Sequence, residues 1–316
     1  MKVLVTGGAG FIGSNLVRRL VADGHEVRVI DNFATGYRHN IEDLLADIEL
    51  IEGDLQSYER AHTAVKGCEV VFHQAALPSV PRSMQDPLTT SAVNITGTLN
   101  VLLCARDEGV RRVVYASSSS AYGNSEHNPR REDQCPAPIA PYAVAKLAAE
   151  HYCQSFARVY GLETVCLRYF NVFGPRQDPA SQYSAVIPRF VSAVAAGQAP
   201  IVFGDGLQTR DFTYVDNVVD ANVLAANAAV ATATMVNVAG GHGTSVRDLA
   251  LEIAACMHSD IQPRFVEARI GDVRDSIADI SKAREVLGYE PRVPVHEGIA
   301  RTVEWLQGAL RASAPV

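Results

Sequence analysis

Tyr142 and Lys146 lie four positions apart in a stretch, from about Tyr142 to Tyr160, whose pattern predicts a helix stopping at Gly161. Residues at that spacing share a helical face. A tyrosine phenol titrates near 10 and is a poor base at neutral pH. An ammonium about 6 Å away, at an effective dielectric of about 20, favours the phenolate by roughly 3 kcal/mol, or about two pKa units. Such a pair can take a proton from an alcohol. Ser117, Ser118, Ser119 and Ser120 follow the apolar run Arg112-Val113-Val114-Tyr115-Ala116. Their hydroxyls can share that proton and hold a substrate oxygen in place. Tyr and Lys at this spacing are also common as surface pairs, so the rest of the chain must supply the context.

The context begins at the N-terminus. Lys2-Val3-Leu4-Val5 is a short apolar run and reads as a buried parallel strand. Thr6-Gly7-Gly8-Ala9-Gly10-Phe11-Ile12-Gly13 follows and leads into Ser14 to Leu20, where Leu16, Val17 and Leu20 fall on one helical face. A strand turning through glycines into a helix aims free backbone N–H groups and the positive end of the helix dipole at one point. A pyrophosphate fits there because glycine presents no Cβ. Val27-Arg28-Val29-Ile30 reads as a second strand and ends at Asp31, 18 residues beyond Gly13. That is close to the ~20-residue spacing of a ribose-binding carboxylate. Asn32 and Phe33 come next, with no arginine directly after Asp31. A carboxylate accepts from ribose hydroxyls and repels a 2′-phosphate, so NAD is preferred over NADP. Hydride transfer at an alcohol carbon then needs the base that Tyr142 and Lys146 would form.

Composition narrows the alternatives. At 316 residues the chain suggests about two domains, and a hydrophobic fraction of 47% is ample for a full core. The net charge is −7, and the arginine pairs at 18/19, 111/112 and 130/131 are scattered, which argues against nucleic-acid and membrane-surface partners. The six cysteines show no C-x-x-C spacing, so reduced thiols in a cytoplasmic protein are expected. The nine histidines show no ligand spacing, and no metal is expected. The first apolar run is broken by glycine and leads into Arg18 and Arg19, unlike a signal peptide. No stretch looks close to the ~20 apolar residues that span a bilayer.

Strands and helices alternate along the first half. Ile48–Glu52 and Val70–His73 read as the third and fourth strands, ending in Gly53-Asp54-Leu55 and Gln74-Ala75-Ala76. A helix is predicted from roughly Thr89 to Glu108, with Asn94 inside it and Gly109 as its cap. Arg112–Ala116 is the fifth strand and Thr164–Tyr169 the sixth. Such βα repetition predicts an α/β chain with a Rossmann-type, doubly wound parallel sheet. Asp31, Asp54, Ala75 and Ser118 then sit at strand carboxyl ends and line one crevice. After Phe170, Gly and Pro punctuate the chain more heavily. Val218–Ala229 and Val236–Val238 read as a helix and strand returning to the sheet. The tail carries helices from Ser245 to about Met257 and near Gly298 to Leu310. The division expected is a dinucleotide-binding domain over 1–173, to which 212–238 return, and a smaller α/β substrate domain over 174–211 and 239–316.

Together these motifs resemble the extended short-chain dehydrogenases/reductases, in the branch of the UDP-hexose 4-epimerases. The likeness covers nearly the whole chain. It is carried by Gly7-x-x-Gly10-x-x-Gly13, Asp31-Asn32-Phe33, Gly53-Asp54-Leu55, His73-Gln74-Ala75-Ala76, Ser117 to Gly123, Tyr142-x-x-x-Lys146, Arg168-Tyr169-Phe170-Asn171 and Arg210-Asp211-Phe212. The resemblance implies NAD as a retained cofactor, held by the glycine loop with Phe11, Ile12, Asp31, Asn32, Phe33, Gly36, Asp54, Leu55, Gln74, Ala75, Ala76, Asn94, Ser117, Tyr169 and Phe170. It implies that Tyr142 takes the O4 proton while the C4 hydride leaves, that a 4-ketose turns over in the pocket, and that the hydride returns to its other face. Ser118 takes the place of the catalytic Ser/Thr, with Lys146 beside Tyr142. Phe170 is expected beside the nicotinamide and Ser120 beside the sugar. Asn171, Arg210 and Arg269 are expected on the UDP phosphates, Asp272 on the uridine ribose and Phe203 beside the uracil. The resemblance also implies a homodimer, built through the helices carrying Asn94 and Tyr142.

Two departures sort the relatives. Nucleotide-sugar 4,6-dehydratases and decarboxylases place acids just after the catalytic Ser/Thr, where this chain has Ser119 and Ser120. Uronate 4-epimerases place a second arginine shortly after Gly-Pro-Arg, where this chain has Asp178, whose carboxylate would repel a sugar carboxylate. The gate beside the sugar's C2 substituent falls on Ser276, where a tyrosine in some relatives excludes an N-acetyl group. Ser79 to Ser83 and Ala185-Val186-Ile187-Pro188 resemble the branch that accepts UDP-N-acetylhexosamines. Ser79 and Val186 are therefore expected to contact substrate. The reading is a 4-epimerase of UDP-glucose/UDP-galactose that also takes UDP-GlcNAc/UDP-GalNAc. UDP-glucuronate epimerisation, 4,6-dehydration, net oxidoreduction with release of NADH and a non-catalytic NAD-sensing scaffold are the alternatives.

Overall fold

The computed structural model of the chain describes residues 1–125, 127–178, 186–229, 233–268 and 274–312. Strands β1 (Lys2–Thr6), β2 (Glu26–Asp31), β3 (Ile48–Glu52), β4 (Val70–His73), β5 (Arg112–Ser118) and β6 (Glu163–Tyr169) form one sheet with a seventh strand, Thr234–Val238. Across the sheet the order is Thr234–Val238, β6, β5, β4, β1, β2, β3, and every pairing is parallel. The helices are α1 (Phe11–Ala22), α2 (Tyr58–Val65), α3 (Val80–Gln85), α4 (Pro87–Ser91), α5 (Gly97–Asp107), α6 (Pro141–Tyr160), α7 (Val186–Ala195), α8 (Val215–Asn227), α9 (Val246–Cys256), α10 (Ser281–Leu287) and α11 (Val295–Ala312).

A parallel sheet is buried on both faces, which explains why its strands read as near-continuous apolar runs. Successive strand residues point to opposite faces. Val3 and Val5 accordingly pack with Leu16, Val17 and Leu20 of α1 and Val218 and Val219 of α8. Leu4 packs on the other side, with Val101 and Leu102 of α5 and Cys153 and Phe156 of α6. Between β1 and β4 the order reverses, because β1 is followed in the chain by β2 on one side and paired with β4 on the other. A crevice opens there, beyond the strands' carboxyl ends. Two glycines make the turn from β1 possible. Gly7 has φ +66, and a Cβ on it would lie 2.7 Å from Ala75 Cα. A Cβ on Gly13 would lie 2.1 Å from the Gly7 carbonyl oxygen, far inside contact distance.

The helix expected over Thr89–Glu108 comes in three parts: α4, a π-helical turn at Ala92–Thr96, and α5. The widened turn places Asn94 so that its Oδ1 accepts from Leu77 N at 2.8 Å and its Nδ2 donates to Leu77 O at 3.2 Å. The run Pro87–Asp107 is long and apolar enough by composition to cross a membrane, with a mean hydropathy of 1.3, which corrects the expectation that no stretch approaches that length. It packs against α2 and α6, and Val101, Leu102 and Ala105 are fully buried, as in a core helix. Helix α7 was not expected. Its buried Ile187, Phe190, Val191 and Val194 nevertheless follow helical spacing in the sequence. The final helix begins at Val295, a turn before the predicted Gly298.

Beyond β6 the chain adds short pairings. Thr209–Arg210 lies between Thr244–Ser245 and Asp275–Ser276, and Ile201–Phe203 pairs with Arg264–Val266. They set Phe203, Arg210 and Ser276 over the mouth of the crevice.

Candidate active site

Helix α6 starts with Pro141 at its first position, where proline's missing N–H costs nothing, and ends on left-handed Gly161. Tyr142, Lys146 and Glu150 recur every fourth residue and are all buried against the sheet. Lys146 Nζ donates to Ala116 O at 2.7 Å and lies 6.0 Å from the Tyr142 ring centroid. Opposite, β5 ends at Ser118, whose Oγ accepts from Ser120 N at 3.2 Å. The Ser118 side chain stands close enough to the Tyr142 phenol to favour its charged form. So the base, the cation and the hydroxyl predicted from spacing meet at one strand end.

Their ionisation differs from the simple expectation. Burial pushes the Tyr142 phenol up to about 12, against the lowering effect of the Ser118 side chain. Burial also pushes the Lys146 ammonium down to about 8, although the Glu150 carboxylate partly offsets this. Desolvation penalises both charged forms, so the lysine alone does not make the phenol a neutral-pH base.

Below the pair lies a buried ion pair that the sequence did not announce. Arg168 donates to Glu150 through Nε at 2.8 Å and Nη2 at 2.7 Å, and each side chain is only 1% exposed. Ser117 Oγ donates to the same carboxylate at 2.5 Å, and the Arg168 guanidinium lies 4.5 Å from the Tyr122 ring centroid. These contacts fix α6 against β5 and β6 immediately behind the reactive groups.

The crevice is a cleft of about 1240 Å³. Gly7, Gly10, Phe11, Ile12 and Gly13 form its floor, and Asp31, Asn32, Gly36, Asp54 and Leu55 its β2–β3 end. Gln74, Ala75, Ala76, Ser117 and Tyr169 line the middle. Ser118, Ser120, Tyr142, Lys146, Asn171 and Arg210 line the other half, together with Ser79 and Ser276. A second cavity of about 510 Å³ contains Val186 and Phe203, and it shares Asn171 and Arg210 with the first. Asp31 accepts from Ala9 N at 2.9 Å and from Phe33 N at 2.8 Å, tying the glycine loop to the loop after β2. Gln74 Nε2 is held by Asn222 Oδ1 at 2.9 Å.

Three expected cofactor residues do not line the cleft. Phe170 is fully buried and packs 6.1 Å from the Tyr122 ring. Alternation at the end of β6 turns Tyr169 to the cleft and Phe170 to the core. Asn94 acts on the Leu77 backbone instead, and Phe33 sits at φ 55 with its ring beneath the Arg38 guanidinium. Arg269 and Asp272 lie outside the described residues. Conversely, Tyr37, Val172, Asp178 and Arg130 line the cleft without having been singled out as site residues, as do Arg189 and Gln208 in the second cavity. Asp178 accepts from Tyr37 OH at 2.6 Å, so it is drawn to the glycine-loop side. That contact removes the ground for treating it as a carboxylate set against the sugar. Two of them had a sequence signal: Asp178 as the position where uronate epimerases carry an arginine, and Arg130 as one of the scattered arginine pairs.

Among the described residues, no group of three or more His, Cys, Asp or Glu side chains could hold a metal ion, and all six cysteines are free thiols. The floor suits a dinucleotide. No side chain caps α1 at Gly10, so the N–H groups of its first turn face the cleft, and a Cβ on Gly7 or Gly13 would fill the cradle. Asp31 stands at the end of β2, where a ribose would lie.

Comparisons agree with that geometry. Residues 3–239 match the profile of the NAD dependent epimerase/dehydratase family. The chain is 41% identical over 311 residues to the UDP-glucose 4-epimerase of Mycolicibacterium smegmatis, covering 97% of this chain and 99% of that one. It superposes with a TM-score of 0.93 and 39% identity on the Thermotoga maritima UDP-glucose 4-epimerase solved with UDP-glucose, over 98% of this chain and 100% of that one. The same TM-score, 0.93, with 38% identity and 98% of each chain covered, relates it to the UDP-N-acetylglucosamine 4-epimerase of Methanobrevibacter ruminantium. With its glycine cradle, Asp31 and the Tyr142–Lys146 pair in one cleft, the chain belongs to the NAD dependent epimerase/dehydratase family.

Proposed function

We propose that the protein is a 4-epimerase of UDP-hexoses, acting on UDP-glucose/UDP-galactose and on UDP-GlcNAc/UDP-GalNAc. The observation that carries this reading is the place of Tyr142, Ser118 and Lys146. They line the dinucleotide cleft together, and a second cavity that shares Asn171 and Arg210 with that cleft suits a nucleoside diphosphate tail. When bound, NAD would supply the hydride acceptor that becomes the donor for the return step. Tyr142 accepts the proton of the sugar's O4 and later gives it back. Ser118 holds that oxygen through the exchange. Lys146 keeps positive charge beside the phenol while its own position is set by Ala116 O. The named relatives at about 40% identity support this chemistry.

Dehydration has less support, because Ser119 and Ser120 line the cleft where an eliminating enzyme needs an acid and a base. A net oxidoreductase would accumulate NADH, and a scaffold would not need Tyr142. UDP-glucuronate is the second reading, since Asp178 pairs with Tyr37. The deciding experiment incubates purified protein separately with UDP-glucose, UDP-GlcNAc and UDP-glucuronate and resolves the C4 epimers, while absorbance near 340 nm is followed. Conversion of the first two with no lasting NADH signal is expected. Conversion of the uronate alone would overturn the substrate assignment.

Substrate size tests the gate. Ser276 lines the cleft and is only partly exposed. Ser276→Tyr is expected to lower the kcat/KM ratio of UDP-GlcNAc over UDP-glucose by more than tenfold. Equal loss on both substrates would move the gate elsewhere.

The assembly we infer is a homodimer through α4–α5 and α6. Leu88 is 83% exposed, Met84 66%, Val159 66% and Val144 48%, a concentration of apolar surface on neighbouring helices. We also infer the two-domain division, with the short pairings after β6 presenting the sugar nucleotide to the sheet.

A further inference from the structure

Arg130 lies in the segment between the serine turn and α6 and is 3% exposed. Its backbone is clamped. Arg130 N donates to Ile277 O at 2.7 Å, while its carbonyl accepts from Asp279 N at 2.9 Å and from Asn237 Nδ2 at 2.9 Å. These bonds fix it beside the Asp275–Ser276 strand. Its Nη1 donates to the carbonyl oxygens of Ser125 and His127. Among the described residues no carboxylate pairs with it, and its only side-chain hydrogen bonds are those two from Nη1. A buried cation ordinarily has a counter-charge, because desolvation is costly. Arg130 instead forms part of the cleft wall that also holds Ser118, Ser120, Tyr142 and Ser276. Ser120 Oγ, on the same wall, is likewise buried without a hydrogen-bond partner. Among the described residues, the Arg130 guanidinium therefore has carbonyl acceptors on Nη1 but no counter-charge, and the Ser120 hydroxyl has no hydrogen-bond partner.

We propose that Arg130 determines specificity at the sugar, donating from its guanidinium to the carbonyl oxygen of a 2-acetamido group. The proposal rests on reading the cleft as a UDP-hexose 4-epimerase site with Ser276 beside C2, and it adds what Ser276 cannot supply. A small gate leaves room, and room by itself gives tolerance rather than preference. A charged donor facing an amide carbonyl forms a charge-assisted hydrogen bond, which a 2-hydroxyl of shorter reach does not replace. The Ser125 and His127 carbonyls already surround the guanidinium with neutral acceptors, and the acetamido oxygen extends that set.

The test compares NAD-loaded wild type with Arg130→Met and Arg130→Lys on UDP-GlcNAc, UDP-glucose and UDP-glucuronate. In Arg130→Met the ratio of kcat/KM for UDP-GlcNAc over UDP-glucose is expected to fall by about tenfold or more. Arg130→Lys is expected to recover part of the loss. A ratio within twofold of wild type overturns the proposal, and so does a loss that falls chiefly on UDP-glucuronate, which would assign the cation to a sugar carboxylate. Should Arg130→Met not fold, Arg130→Gln keeps a donor for the Ser125 and His127 carbonyls and supports the same comparison. Failure of the wild type on every UDP-hexose would overturn the reading of the cleft itself. Turnover by the wild type with an unchanged ratio would overturn only the role of Arg130.

Discussion

Tyr142→Phe is expected to lower kcat by about 10²–10⁴-fold on every UDP-hexose, the range typical of a lost acid–base group. The ring stays, so its packing on Ser118 and the wall of the cleft stays as well. Only the hydroxyl that exchanges the O4 proton is removed. Tyr142 is 9% exposed, and burial pushes its phenol up to about 12. KM for the sugar nucleotide and the NAD content of the purified protein are expected to change little, because both are set elsewhere along the cleft. Steady-state kinetics with quantitation of bound nucleotide checks this. Turnover within a few-fold of wild type would remove Tyr142 from the chemistry. The same variant separates an enzyme from a sensor, since a scaffold loses nothing with that hydroxyl.

Lys146→Met is expected to cost turnover on a comparable scale and to alter two pH profiles. The ammonium near the phenol titrates at about 8, well below an ordinary lysine, because it is buried. In the wild type, activity that depends on this charge is present below pH 8 and declines above it, giving kcat an alkaline limb that Lys146→Met lacks. The effect on stability has the opposite sense. In the unfolded chain the lysine keeps its proton to about 10.4. Between about pH 8 and that value the unfolded state therefore binds more protons than the folded one, and stability rises with pH through this window. Below pH 8 both states are protonated and the cost of burying the charge is fully present. Thermal melts of NAD-free protein from pH 7 to pH 10.5 are expected to show this rising component in the wild type and its absence in Lys146→Met. Identical pH dependence in the two proteins would mean that Lys146 is not buried in charged form.

Both variants act on groups that stand out in the chain, but their energetics do not. The four-residue spacing of Tyr142 and Lys146 is enough to place them on one face of a helix. It says nothing of the low-dielectric surroundings, which reverse the expected direction for the phenol. The Lys146 ammonium does lie near the tyrosine, 6.0 Å from its ring centroid. The missing ingredient was desolvation, which depends on β5, the serine turn and the helices that close over the site.

Locally encoded features were legible for a common reason. Strands β1 to β6 are continuous apolar runs because a parallel sheet is covered on both faces. The glycine turn is spelled out because Gly7 and Gly13 occupy positions where a Cβ would strike backbone. Asp31 falls at a strand end through the length of α1 and its connection. Helix α7 could have been found from its apolar stripe, but the Gly/Pro punctuation around it obscured the period. Residues that meet across long separations were not legible. The Glu150–Arg168 pair joins positions 18 apart, Tyr37 reaches Asp178 across 141, and Arg130 is fastened to a strand far along the chain.

Chain order, local periodicity and glycine placement were enough to specify a doubly wound sheet, a dinucleotide cradle and the placement of Tyr142 and Lys146 on one helical face. Each of these depends on residues within one element and its flanking turn. Which residues face the cleft, how their protons are held and where the buried cation Arg130 stands were decided by tertiary packing. Those properties come from surfaces that become neighbours only on folding. Tyr169 and Phe170 show the difference most simply: adjacent aromatics of similar size, one on the cleft wall and one in the core, separated by the alternation at the end of a strand and by what packs behind it.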